Sequence, residues 1–215
     1  MTSHLDRAML RIKKEILSLG AMVEERFKRS VRAVQAEDLE LAQFIIDTDY
    51  KVDEREIEIE EECLKILALY QPVAADLRLI VVVIKINNDL ERIADYAVNI
   101  ARRYKISSYN SSKFKYDYTA MGDLAAKMLK LSLDALVRMD VDMAYRVREM
   151  DAKVNVMRND AYEIMKTDIQ KHPEMVEEII NMYLISRHIE RVGDHTTNIA
   201  EEVIYLIEGE IIRHT

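Results

Sequence analysis

The 215-residue sequence predicts an all-α fold, six helices arranged as two antiparallel three-helix bundles. Three observations carry that prediction. Hydrophobic residues make up 49% of the chain and charged residues 33%, with only four glycines and two prolines to interrupt helices. Apolar side chains recur at steps of three and four along most of the length, as they do on a helix with one buried stripe. The chain also repeats itself. Ser30, Ala33, Asp38, Ala42, Asp49, Lys51 and Val52 return as Ser132, Ala135, Asp140, Ala144, Asp151, Lys153 and Val154, all at an offset of 102.

The first helix is expected over about 4–36, from the seam Met9, Ile12, Ile16, Leu19, Val23 and Phe27, with Ser3 placed to cap it. A second follows the N-cap residue Asp38 and runs without a breaker to Gln71-Pro72. Pro72 opens a third, whose seam Ile86, Leu90, Ile93, Ala97 and Ile100 continues to about Tyr104. Its β-branched run "LIVVVI" would suit a strand in isolation. Because it leads directly into the helical seam, a helix buried on more than one side is expected.

The Ser/Asn-rich stretch at 105–116 lacks periodicity and is expected to be a loop. Thereafter the pattern restarts, with helices at about 117–138, from Asp140 to about Lys171, and at about 174–208 behind Pro173. The repeats are therefore assigned to residues 1–106 and 107–215.

The net charge of −8 is spread along the chain, with no basic run to follow a phosphate backbone, so no nucleic-acid partner is expected. Cys63 is the only cysteine, which excludes an internal disulfide and a thiolate metal cluster. The N-terminal segment has no secretory core, and the most apolar stretch, 79–86, is far shorter than the roughly 20 residues that span a bilayer. A cytoplasmic protein with no membrane insertion is expected.

"ERIADYAVNIA" at 91–101 returns as "ERVGDHTTNIA" at 190–200, an offset of 99. On a helix, Asn88, Glu91, Asp95 and Asn99 share one stripe opposite the apolar seam. A solvated polar face accounts for any single such stripe. Its repetition, and a complementary pair in each preceding helix, point further. Asp49 and Asp53 are four apart, with Asp151 and Asn155 at the matching positions. Counting equal rises from the two turns sets Asp53 level with Glu91 and Asp49 with Asp95, then Asn155 with Glu190 and Asp151 with Asp194.

Carboxylates gathered in this way raise one another's pKa unless a cation intervenes, and oxygen ligands suit Mg²⁺, Ca²⁺, Mn²⁺ or iron. His188 and His195, seven apart, are possible nitrogen donors, but repeat one has Asp89 and Tyr96 in their places. The Glu-x-x-His spacing of ferritin-like di-iron oxidases is absent, as are a phosphate-binding glycine loop, His-Glu-x-x-His and Gly-x-Ser-x-Gly. No enzymatic machinery is visible. Two readings of the acidic stripes remain beside a metal site, a structural interaction module and a carboxylate-bridged di-metal enzyme.

The segments "DTDYKVDEREIEIEEECLKILALYQPVAADLR", "DLERIADYAVNIA" and "IERVGDHTTNIAEEVIY" resemble the PhoU family, the regulators that accompany the ABC-type phosphate-specific transporter. The resemblance covers nearly the whole chain. It implies two pseudo-symmetric bundles and a non-enzymatic negative regulator of phosphate uptake and of phosphate-starvation signalling. The implied partners are the ATPase subunit of the transporter and a sensor histidine kinase; a homodimer is expected.

The resemblance also implies multinuclear metal clusters on Glu/Asp-x-x-x-Asp motifs, with iron, zinc, manganese or magnesium as occupants. Those motifs fall on Asp49/Asp53, Glu91/Asp95 and Glu190/Asp194. The fourth departs, as Asp151/Asn155, which leaves the second site less charge. Ala94 likewise replaces the family's usual glycine, which Gly193 keeps in the second copy.

Overall fold

In a computed structural model, which describes residues 2–108 and 115–210, the chain is helical throughout apart from its connections. Helix α1 spans Thr2–Gln35 and α2 Leu39–Asp47, followed by α3 at Tyr50–Tyr70 and α4 at Ala74–Ser108. The second repeat comprises α5 at Thr119–Arg138, α6 at Val141–Lys171, a 3₁₀ turn at Pro173–Met175 and α7 at Val176–Glu208. The apolar seam of α1 is buried from Met9 to Phe27, as its periodicity requires. Helix α1 begins at Thr2, one residue before Ser3.

The expected six rods are present, but the second is interrupted. Thr48 returns its hydroxyl to the Phe44 carbonyl at 2.8 Å, while Lys51 and Val52 donate to the carbonyls of Thr48 and Asp49, three residues back. This local pairing replaces the regular ladder and separates α2 from α3. In the second repeat Met150 stands where Thr48 does, and α6 runs unbroken for 31 residues.

The other boundaries move by a few residues. Gln71 and Ala74 both have positive φ, 47° and 48°, so the chain turns around Pro72 and α4 starts two residues beyond it. At its other end α4 continues to Ser108, into the expected loop, of which 109–114 lie outside the described residues. Asp117 accepts a bond from the Thr119 amide, which sets the start of α5. Leu79, Ile80, Val82 and Val83 are all buried in α4, so "LIVVVI" is the helix buried on more than one side.

Both repeats turn their first corner identically. Glu37 and Met139 hold φ of 55° and 50°, the Asp38 and Asp140 amides reach back to the carbonyls of Ala33 and Ala135, and the same two aspartates cap the next helix through their side chains. The corner explains why Ala33, Asp38, Ala135 and Asp140 recur in register.

The largest contact in the molecule is between α4 and α7, which run antiparallel. Arg103 donates to Asn181 at 3.1 Å, Asp89 meets His195 at 2.7 Å and Lys85 meets Glu202 at 3.0 Å, so ascending α4 descends α7. Among the described residues no helix is long and apolar enough to cross a membrane. Cys63 is fully buried on α3, and burial pushes its thiol up to about 12, leaving it protonated and inert.

A second, tighter crossing joins α1 to α5. Gly20 faces Leu133 and Gly122 faces Val31, and these contacts are repeat-mates. A Cβ on either glycine would stand 2.7 Å from a methyl of its partner. Leu133 can withdraw a terminal methyl by changing rotamer, whereas β-branched Val31 cannot. Gly122→Ala is therefore expected to lose about 1–2 kcal/mol and several degrees of Tm, overpacking outweighing the helix-propensity gain, while Gly20→Ala stays within about 0.5 kcal/mol. Circular-dichroism melts of the two variants test this, and equal losses would refute the distinction.

Candidate functional site

The acidic stripes of α4 and α7 each face a neighbouring helix, the start of α3 in the first repeat and the middle of α6 in the second. These faces are turned toward one another because Val52 and Ile59 on α3, and Val154 and Ala161 on α6, are buried beside them and fix the rotation of each helix.

In the first repeat the two walls meet as the turn count expects. Asp49 feels both Asp53 on its own side and Asp95 across the groove, and Glu91 feels Asp95 on its own helix and Asp53 opposite. Asp53 is exposed, while Asp49, Glu91 and Asp95 are half-buried. Burial is the main reason that the Asp49 and Glu91 carboxyls rise above the ordinary carboxylate range, and their acidic neighbours add to it.

Two residues that the sequence reading did not single out belong to this cluster. Glu56 lies seven residues beyond Asp49, hence two turns along the same face, and contributes to the rise of Glu91. Extending the Asp49/Asp53 stripe by one more turn would have found it. The other is Arg26, on α1. Its Nη2 donates to Asp49 Oδ1 at 3.0 Å and to the Ile45 carbonyl, and its Nη1 donates to both the carbonyl and the hydroxyl of Thr48 at 3.2 Å. Arg26 thus satisfies the carbonyls freed where α2 ends and neutralises Asp49 with the same guanidinium. In the second repeat its position is taken by Met128.

The second cluster is built differently. Asp194 lies near Asp151 and Glu190, and Asp151 accepts a bond from the Asn155 amide at 2.8 Å and one from the Thr197 hydroxyl at 3.5 Å. Burial, then these carboxylate neighbours, lifts Asp194. The α6 side chain that meets buried Glu190 is Arg158, at 2.9 Å, with Arg187 at 3.5 Å on the other oxygen. Among the described residues, no three His, Cys, Asp or Glu side chains of either cluster converge closely enough to hold a metal ion.

His188 and His195 face elsewhere, onto α4. The Tyr96 ring lies between them, with ring centres 5.8 and 5.6 Å away. His195 pairs with Asp89, while His188 is pushed down to about 4 by burial and by Arg103 and Arg187, which keeps it neutral. Both histidines therefore serve the seam between the repeats. Gly193 opposes Asp151 and Val154 at 3.5 Å, ordinary contact distances for an added methyl, so the Ala94 found in the first copy needs no wider spacing of the helices.

The PhoU domain family matches residues 16–104 and 118–203 of the chain. A relative from Pseudomonas aeruginosa, named a phosphate-specific transport system accessory protein PhoU homolog, is 36% identical over 94% of this chain and 85% of its own length. The accessory protein PhoU of Escherichia coli K12 is 32% identical, with coverage of 94% and 85%. The crystal structure of PhoU from Pseudomonas aeruginosa superposes with a TM-score of 0.92 at 34% identity, covering 95% of this chain and 99% of that one. The phosphate transport system regulatory protein PhoU from Streptococcus pneumoniae gives 0.87 at 26% identity, covering 97% and 99%.

Arg26→Met, which installs the second-repeat residue, is expected to cost about 2–3 kcal/mol at neutral pH through the lost half-buried ion pair and uncapped carbonyls. Without Arg26 the Asp49 carboxyl rises further above its unfolded value. A raised carboxyl contributes stability in its protonated form, present at low pH and lost as pH rises through the native pKa. The deficit of the variant should therefore shrink as pH falls through that range. Denaturant titrations at several pH values measure it, and a deficit that grows on acidification would contradict the assignment.

Proposed function

This chain belongs to the PhoU family, and on that premise we propose that it is a non-enzymatic negative regulator of phosphate uptake and of phosphate-starvation signalling. The reading rests on one observation: both repeats match the family, and relatives aligned over 94% of the chain are named accessory proteins of a phosphate-specific transport system. The protein acts in the cytoplasm as a homodimeric adaptor. Its partners are the ATPase subunit of an ABC-type phosphate transporter and the sensor histidine kinase of the phosphate response. Two repeats joined along α4 and α7 offer such an adaptor two similar but non-identical faces.

The adaptor binds metal on its acidic stripes. In the first cluster the donor set is entirely carboxylate oxygen, from Asp49, Asp53, Glu56, Glu91 and Asp95, the chemistry preferred by iron, manganese or magnesium. Asp49 and Glu91, already raised by burial and by their neighbours Asp53 and Asp95, are the groups that gain most from an added cation. When bound, such an ion supplies the positive charge that lets these side chains stay ionised together. A second reading, a structural module whose acidic faces need no metal, draws on the Arg26–Asp49 ion pair, which already offsets part of that repulsion.

Cells lacking this protein are expected to lose restraint twice over when phosphate is plentiful, with faster phosphate uptake and raised starvation-gene output, both restored by the wild-type chain. Unchanged uptake and unchanged output in the deletion strain would remove the regulatory reading. A pull-down with the ATPase subunit and the kinase separates the two accounts of the stripes. Glu91→Ala/Asp95→Ala weakens capture at least several-fold if metal shapes the binding face, and leaves it unchanged if the stripes are only solvated.

A further inference from the structure

Each cluster can be tested for its fit to a cation by comparing the residues at matching positions. Two turns beyond Asp49 the first repeat has Glu56, and two turns beyond Asp151 the second has Arg158. One turn before Glu91 the first has Asn88, and before Glu190 the second has Arg187. Both changes put a fixed positive charge where the first repeat has an acid or an amide.

The side chains use that charge. Arg158 sets both Nε and Nη2 on Glu190 Oε1 at 2.9 Å, and Arg187 approaches Oε2 at 3.5 Å. Arg191 pairs with Asp194 at 3.2 Å, and Asp151 is held by Asn155 and Thr197. Two carboxylates thus meet three guanidinium groups, and the third is held by neutral donors. Of the five carboxylates in the first cluster, Asp49 meets Arg26 at 3.0 Å and Glu91 and Asp95 approach Arg92 at 3.6 and 3.9 Å, with Arg102 acting on Asp49 from farther away.

We infer that the two clusters are inequivalent: Arg158 and Arg187 take the place of a metal ion in the second repeat, so that its residues do not fit one and any metal on the acidic stripes is held by the first repeat. The part concerning the first repeat rests on the metal reading proposed above. A cation entering the second cluster would have to displace a guanidinium from a buried carboxylate and then share the groove with two arginines. Removing those arginines should therefore create affinity, whereas removing the acids beside them should not abolish metal binding.

The test uses the full chain, loaded with Mn²⁺ and desalted, with metal counted by mass spectrometry and affinity followed through the spin-resonance signal of free Mn²⁺. Wild type is expected to bind at one class of sites. Glu91→Gln/Asp95→Asn loses binding by at least tenfold, and Glu190→Gln/Asp194→Asn stays within twofold of wild type. Arg158→Glu/Arg187→Asn, which copies the first repeat, acquires a second class of sites. Should that double variant fail to fold, Arg158→Gln gives the same comparison, with second-cluster affinity raised. Metal lost equally from the two acid-to-amide variants overturns the inequivalence and leaves the metal reading standing. No metal on wild type or on either arginine variant overturns both together.

Discussion

Helices α4 and α7 are each buried on more than one side, and each must find an antiparallel partner for a face that its own repeat leaves open. They find it in one another. The contact between them exceeds any other in the molecule, and its polar pairs, Asp89–His195 and Lys85–Glu202, fix the register. Once that register is set, the acidic stripes Glu91/Asp95 and Glu190/Asp194 are turned outward toward α3 and α6, and α1 and α5 are left to close the opposite side. The close approach of Gly20 to Leu133 and Gly122 to Val31 is the result. Each acidic groove thus depends on an interface to which it contributes no side chain.

Much of this was legible in the sequence because it follows from local periodicity. The buried seam of α1, the paired aspartate caps and the helical state of "LIVVVI" all depend on spacing within one segment. Counting rises from a turn also placed Asp49 near Asp95 and Asp53 near Glu91, since antiparallel neighbours joined by a short turn have equal heights. The pseudo-symmetry was visible for the same reason, as the residues that recur serve shared corners and caps.

What escaped the reading depends on contacts between distant segments. The break at Thr48 needs an arginine from α1, 22 residues upstream, to take up the carbonyls that it frees. Only the comparison of Arg26 with Met128 hints at it, a charge in one copy where the other has an apolar side chain. Glu56 and Arg158 were missed for a simpler reason, since the stripe was not followed a further turn. The partners of His188 and His195 lay across the repeat boundary, where no local spacing reports.

The interruption at Thr48 also divides the folding of the two repeats into units of different size. Helix α2 has nine residues, fewer than an isolated helix needs to persist in water, and it is held by the Asp38 cap, by Ala42 and Ile45 in the core, and by Arg26. Its counterpart is the leading part of α6, where the same residues belong to one continuous ladder. Amide protons of α2 can therefore exchange with solvent by a small opening confined to that segment, whereas those of early α6 are exposed by fraying or by a larger cooperative event. A duplicated architecture thus carries two local stabilities, and the softer one borders Asp49.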